Sequence, residues 1–145
     1  MIRLPGRQTR TSKAGKREGL GDHYFRSAWE ANYARYLNLL IKMKVVDRWE
    51  FESETFWFEN IKRGVRSYKP DFKVWYKPKY QTDPVYPKYQ IHPVYVEVKG
   101  WMDAKSKTKI KRFAKYYPQH RLEVVDEKAY KHIKSQWSGA IKDWE

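Results

Sequence analysis

The sequence predicts an α/β domain over residues 23–145, preceded by a flexible basic N-terminal arm over residues 1–22. Three observations carry this reading: helical periodicity across 24–44, a β-rich middle that closes on Val-Tyr-Val-Glu-Val-Lys-Gly at 94–100, and a final order of helix, strand, helix. A chain of 145 residues is long enough for one domain with a real core and too short for two comfortable ones. Seven Trp, twelve Tyr and six Phe supply that core, which excludes a globally disordered chain.

Taken in order, the arm carries Arg3, Arg7, Arg10, Lys13, Lys16 and Arg17 among Gly, Ser and Thr, with almost nothing apolar after Leu4. Such a segment lies along phosphates and orders on contact, or is a merely solvated tail. Trp29, Tyr33, Tyr36, Leu37 and Leu40 then follow spacings of three and four with no Pro or Gly among them, as an amphipathic helix requires. Ser27 with Glu30 three positions on is a capping-box signature. Glu30 also aligns with Ala34, Leu37 and Ile41 on the apolar side, where a carboxylate needs a partner. Cap and site ligand both stand as readings of Glu30.

Strands are expected at 47–53 and 55–61, then a turn at 60–64 and a third strand from residue 65 or 66 to 76 that includes Pro70, Asp71 and Phe72. Proline in a strand removes a ladder donor and marks an edge, bend or bulge that re-aims the next side chain, here Asp71. Residues 77–93 hold Pro78, Pro84, Pro87 and Pro93 with Tyr80, Tyr86 and Tyr89 between them, a stiffened loop joining neighbouring strands. Its tyrosines and lysines either stack on bases or pack the loop on itself.

In the strand at 94–100, side chains two apart share a face, so Tyr95, Glu97 and Lys99 lie on one side and Val94, Val96 and Val98 on the other. The valine face is expected in the core. The other face sets an acid beside an amine, which suits a bound cation next to an anion; a metal ion and a phosphate answer both. The bland alternative is an exposed strand face with a same-face ion pair.

Beyond Gly100, Asp103 is expected to cap a helix to Tyr117 with Ile110, Phe113, Ala114 and Tyr117 inward. Its outer face carries Lys105, Lys107, Lys109, Lys111, Arg112 and Lys115 without an intervening acid, which favours a phosphate-facing surface over a solvated one. Pro118 ends that helix. A short buried strand at 121–125 follows, and Asp126 caps a last helix with Tyr130, Ile133 and Trp137 inward.

The formal charge of +14 points to a polyanion, with nucleic acid ahead of an acidic membrane surface because no amphipathic basic helix stands out. The absence of cysteine excludes a disulfide scaffold and thiolate zinc sites, and agrees with a reducing cytosol. No apolar run approaches membrane-spanning length and no signal-peptide core is present, so a soluble cytoplasmic protein is expected.

Trp29-Glu30-Ala31-Asn32 on a helix, Pro70-Asp71-Phe72 and Glu97-Val98-Lys99-Gly100 on later strands, in that order, resemble the PD-(D/E)XK nuclease superfamily across 27–125. Size, basic arm and layout look most like the phage-type Holliday junction resolvases of the endonuclease I kind. Transposon-end and mismatch-nicking nucleases share the same core. The resemblance implies a restriction-endonuclease-like core, a mixed central β-sheet flanked by helices, acting in a bacterial or phage-infected cell. It implies hydrolysis of DNA phosphodiesters with Mg²⁺, or Mn²⁺ in its place, and no small-molecule cofactor. Asp71, Glu97 and the Val98 carbonyl would be metal ligands. Lys99 would orient the attacking water or bind the scissile phosphate, and Glu30 would position water or complete a second metal site. Two carboxylates are sufficient anchorage for magnesium, which keeps several waters. Resolving branched double-stranded DNA by paired nicks implies a two-fold homodimer. Its interface would draw on aromatics of the first helix or on Trp49, Phe51, Phe56, Trp57 and Phe58, unless these fill a monomer's core. The competing class is a catalytically silent DNA-binding module.

Overall fold

The computed structural model describes residues 14–80 and 92–145. Its elements in chain order are α1 (Ala28–Lys42), β1 (Val46–Phe51), β2 (Phe56–Trp57), β3 (Ser67–Tyr68), β4 (Phe72–Tyr76), β5 (Pro93–Val98), α2 (Ala104–Tyr116), β6 (Leu122–Val125) and α3 (Glu127–Trp137). A four-stranded sheet runs β1-β4-β5-β6 and a two-stranded one pairs β2 with β3. The first two pairings of the large sheet are antiparallel and β5–β6 is parallel, so the central sheet is mixed. Helices cover it on both faces.

All three helices start where a short polar side chain can take an orphan backbone N–H. Ser27 accepts from Glu30 N–H at 3.2 Å, Asp103 from Ser106 at 2.7 Å and Asp126 from Ala129 at 2.9 Å, each cap in extended backbone. Helix α1 buries Ala31, Tyr33, Ala34, Leu37 and Leu40 against Val46, Phe72, Val74, Val96 and Val98, with Tyr130 of α3 in the same core. On the opposite face Tyr95 joins Phe56, Phe58, Val65, Tyr68 and Phe113, so α2 and the β2–β3 hairpin form a second core. The expected division of β5 into a core face and an open face is therefore corrected. Both faces are packed, as alternation allows once each is covered by its own layer.

Several elements differ from expectation for identifiable reasons. The strand anticipated from residue 65 or 66 to 76 is two strands in different sheets, broken at Lys69-Pro70-Asp71, because Pro70 has no N–H for a ladder. The strand at 55–61 shrinks to Phe56–Trp57, after which Asn60 (φ 68°) and Gly64 (φ 75°) turn the chain. β6 is an edge strand rather than a buried one, with Val124 exposed. In α2 Phe113 is buried, whereas Ala114 faces solvent.

The boundary of the arm also moves. Gly15 and Phe25 exchange backbone hydrogen bonds at 2.8 and 3.1 Å, Leu20 is 5% exposed in the first core, and Arg17 donates to both carboxylate oxygens of Glu145 at 2.7 and 3.1 Å. Residues 14–22 are thus part of the domain. Arg3, Arg7, Arg10 and Lys13, and the loop positions Pro84, Tyr86, Pro87 and Tyr89, lie outside the described residues. Of the aromatics considered for a dimer interface, Phe51, Phe56 and Phe58 are buried in the two cores and Trp49 donates to Asn38 at 2.9 Å; Trp57 alone of the five is widely exposed. Among the described residues no helix is long and apolar enough to cross a membrane.

At the end of β5 the chain leaves through Gly100, where a Cβ would lie 2.8 Å from Cζ3 of Trp29. That indole cannot retreat freely, since it stacks on Tyr130 with centroids 4.0 Å apart and planes 6° from parallel. Gly100→Ala is expected to cost about 1–3 kcal/mol through overpacking. In urea unfolding, Trp29→Phe in the same chain should recover part of that loss, because the two positions share one clash.

Candidate active site

The register of β4 and β5 pairs Phe72 with Val96; one step further along both strands places Asp71 opposite Glu97. Asp71 is 7% exposed, and its Oδ2 accepts the Val98 N–H at 2.8 Å. Glu97 Oε2 accepts the Tyr68 hydroxyl at 2.6 Å, and the Asp71 backbone N–H also donates to Glu97. The break at Pro70 lets this happen: it ends the hairpin layer with Tyr68 and starts β4 with Asp71 at its mouth.

Glu30 enters from the first turn of α1, 8% exposed. Its Oε2 accepts the Arg26 N–H at 2.8 Å while its own N–H is capped by Ser27. The carboxylate thus braces the start of the helix, and the residue also lines the cleft holding Asp71, Glu97, Val98 and Lys99. The cleft measures about 520 Å³ and opens at the C-terminal end of β5, where the parallel β5–β6 pair meets the loops. Lys99 is half-buried in its wall, with its backbone N–H on the Val125 carbonyl at 3.0 Å.

Burial raises the proton affinity of all three carboxylates. Asp71 is held well above the usual aspartate range by burial, then by the charges of Glu97 and Glu30. Glu30 is raised by burial against the opposing pull of the Arg26 N–H. Glu97 is raised by burial although the Tyr68 hydroxyl, Lys99 and Lys109 favour its charged form. Tyr68 is itself pushed up by burial and the Glu97 charge, which keeps its hydroxyl a donor. Among the described residues no salt bridge reaches Glu30, Asp71 or Glu97.

A concentration of buried negative charge without a salt-bridged counter-ion takes up a proton or a cation. Among the described residues no three His, Cys, Asp or Glu side chains are gathered into a group that could hold a metal ion, so Glu30 stands in the cleft wall without completing a three-carboxylate set. Asp71 and Glu97 fit a hard divalent cation that takes one or two carboxylates and keeps its waters; they do not fit a closed protein cage.

The basic residues divide. Lys105, Lys107 and Lys111 on α2 are exposed, and Lys109 sits near enough to the cleft to favour the charged form of Glu97. Arg112, expected to face phosphate, instead donates to the Val65 carbonyl and braces α2 to the hairpin. Lys16 pairs with Asp22 at 2.5 Å, and Arg17 is committed to Glu145, so neither is placed as an unengaged phosphate contact. Sequence reasoning missed Tyr68, which holds Glu97, and Trp101, which lines the cleft while 76% exposed. Nothing in the sequence near Tyr68 marks it; a tryptophan directly after a glycine stop was a usable signal for Trp101. Comparison with protein-family models, curated proteins and solved structures finds no match for this chain.

The raised carboxylates set a sign for pH dependence. The folded protein keeps protons that the unfolded chain, with aspartate near about 4, has lost, so this cluster's contribution is intact below that pH and is lost as pH rises through the raised values. Asp71→Asn keeps an oxygen for the Val98 N–H and removes a charge. In EDTA the variant should match the wild type at acid pH and exceed it by about 1–2 kcal/mol at neutral pH, read from melts across the range. A difference independent of pH would show that neither burial nor the neighbouring carboxylates raise the proton affinity of Asp71.

Proposed function

We propose that the protein is a divalent-metal-dependent DNA endonuclease with a restriction-endonuclease-like core that resolves four-way junctions by paired, symmetric nicks. The observation that carries this reading is the convergence of Asp71, Glu97 and Lys99 on one cleft, with Glu30 in its wall. Asp71 and Glu97 would hold Mg²⁺, or Mn²⁺ in its place, with the Val98 carbonyl as a further oxygen. When bound, such an ion supplies a nucleophile at neutral pH and neutralises charge on the phosphoryl oxygens.

The chain's own residues supply the rest. The Val98 N–H and the Tyr68 hydroxyl fix the orientation of the two carboxylates. Lys99 carries its ammonium into the same cleft, where it donates to the attacking water or to a phosphate oxygen. Glu30, which burial biases toward its protonated form, is suited to exchange a proton with water there. Exposed lysines of α2, the helix whose Lys109 lies near Glu97, would bind backbone phosphates, which positions DNA without reading sequence. Two such sites related by a two-fold axis would place the two nicks symmetrically, which makes a homodimer the assembly that fits the reaction.

With a synthetic four-way junction and Mg²⁺, the wild type should cut two strands. Asp71→Asn, Glu97→Gln and Lys99→Ala should each lose at least about a hundredfold in rate while still shifting the junction on a gel. Binding by the wild type with no cleavage in either Mg²⁺ or Mn²⁺ would leave a silent DNA-binding module. Faster cutting of mismatched or linear duplex than of the junction would transfer the reading to a related nuclease. Removing residues 1–13 takes away Arg3, Arg7, Arg10 and Lys13. The slope of log affinity against log salt should flatten by about 0.9 for each phosphate that the arm neutralises.

A further inference from the structure

We infer that Trp101 is a stacking platform for an unstacked nucleobase beside the scissile phosphate, so that the cleft selects DNA in which a base next to the cut has left the helix stack. The inference rests on the nuclease reading of the cleft for the position of the phosphate, and adds what the cleft recognises.

Trp101 is the most exposed large apolar side chain among the described residues, at 76%, yet it belongs to the wall of the cleft that holds Glu97 and Lys99. A tryptophan left in water at the rim of a charged cleft contributes little to the fold, whereas the other rings near it are packed: Trp29 lies against Gly100 and stacks on Tyr130. Its exposure is not the slack of a loose loop. The chain is pinned before it by the Lys99 N–H on the Val125 carbonyl and by the close seat of Gly100, and after it by Asp103, which caps α2. The indole is therefore presented by a short, anchored segment, as a binding platform requires.

The chemistry of the surroundings narrows the occupant. Trp101 follows Lys99 by two residues, at most about 7 Å of backbone, which matches the reach from a phosphate to an adjoining base. A flat apolar group attached to an anion, held where an ammonium and an indole face the same cleft, is a nucleotide. Bases in continuous duplex are covered by their neighbours and offer no free face. Bases at a branch point or bulge do, and extruding them costs least. Stacking on an aromatic side chain is tolerant of base identity, so this device reads structure without reading sequence.

The test is made in EDTA, where no cleavage occurs, with three DNAs: a fully paired duplex, the same duplex carrying one unpaired adenine, and a four-way junction. Trp101→Ala should weaken binding of the bulged duplex and the junction by about tenfold and change the paired duplex by less than about twofold; Trp101→Phe should keep most of the affinity. With 2-aminopurine in place of the unpaired adenine, wild-type protein should quench its fluorescence and Trp101→Ala should not. Equal losses on paired and bulged DNA, or no loss on either, overturns the inference, and so does unchanged quenching by the alanine variant. The nuclease reading is judged separately by cutting of the same DNAs in Mg²⁺. Selective stacking without cutting would keep the platform and discard the nuclease; cutting with no Trp101-dependent selectivity would do the reverse.

Discussion

Asp71 and Glu97 sit opposite each other across two antiparallel strands, in a sheet covered on both faces, and neither has a salt-bridge partner among the described residues. Like charges directly across a strand pair destabilise it, and burial adds to the cost. The chain has no shortage of cations, with 31 Lys and Arg against 17 Asp and Glu. Elsewhere it commits them to carboxylates. Glu54 takes the Lys73 ammonium at 3.0 Å and the Tyr95 hydroxyl at 2.7 Å, and Glu145 takes Arg17 and Arg35. In the cleft the fixed partners are instead backbone N–H groups and a neutral hydroxyl, which orient the carboxylates without neutralising them. Pairing of that kind leaves the charge available to something that comes from solution.

The two aromatic cores explain why the cleft is where it is. On one face Phe25, Phe51 and Phe72 meet with centroids 4.6 and 5.2 Å apart; on the other Phe56 meets Tyr95, Phe113 and Tyr117 at 4.8 to 5.1 Å. Rings of this size fill space on both sides of four short strands and leave little of either face to water. Access to the strands is left at the end of the sheet, where β5 gives way to Gly100 and the first turn of α1 comes in from the side. A small domain can build a solvent-accessible acidic cleft at a strand end because its faces are closed so completely elsewhere.

What could be read from the sequence follows the range of the forces involved. The caps Ser27, Asp103 and Asp126, the strand carrying Glu97, and the link from β4 to β5 rest on contacts a few residues long or on strict alternation and are where the sequence places them, except that the strand stops at Val98, one residue short of Lys99. The second core was not legible, because a tyrosine between valines gives no sign that a hairpin from elsewhere will cover it. Arg17 and Arg112 were assigned to phosphate on charge alone; their partners, Glu145 and the Val65 carbonyl, are 128 and 47 positions away. The Pro70 break was visible as an oddity, but its result, two strands in separate sheets, depends on how Tyr68 packs against Phe113. Of the candidate site, the grouping of Asp71, Glu97 and Lys99 in one cleft was legible in the motif, and Tyr68, whose hydroxyl donates to Glu97, was not.

The distribution of charge adds a constraint on how such a site works. The chain carries a formal charge of +14, yet the cleft floor is acidic and would repel a phosphate brought to it. Under the nuclease reading, DNA attracted by the lysines of α2 meets a local barrier that falls only when positive charge enters beside Asp71 and Glu97. The two ligands would then bind with positive coupling: a seated phosphate lowers the cost of holding a cation there, and the cation lowers the cost of the phosphate by the same factor. Lys99 and Lys109 are close enough to favour the charged form of Glu97 without pairing to it, so they supply part of that positive charge permanently and leave the remainder conditional. Under that reading a fully neutralised cleft would bind DNA more readily and lose that dependence, and the unmet charge on the two carboxylates would tie productive binding to the presence of the ion.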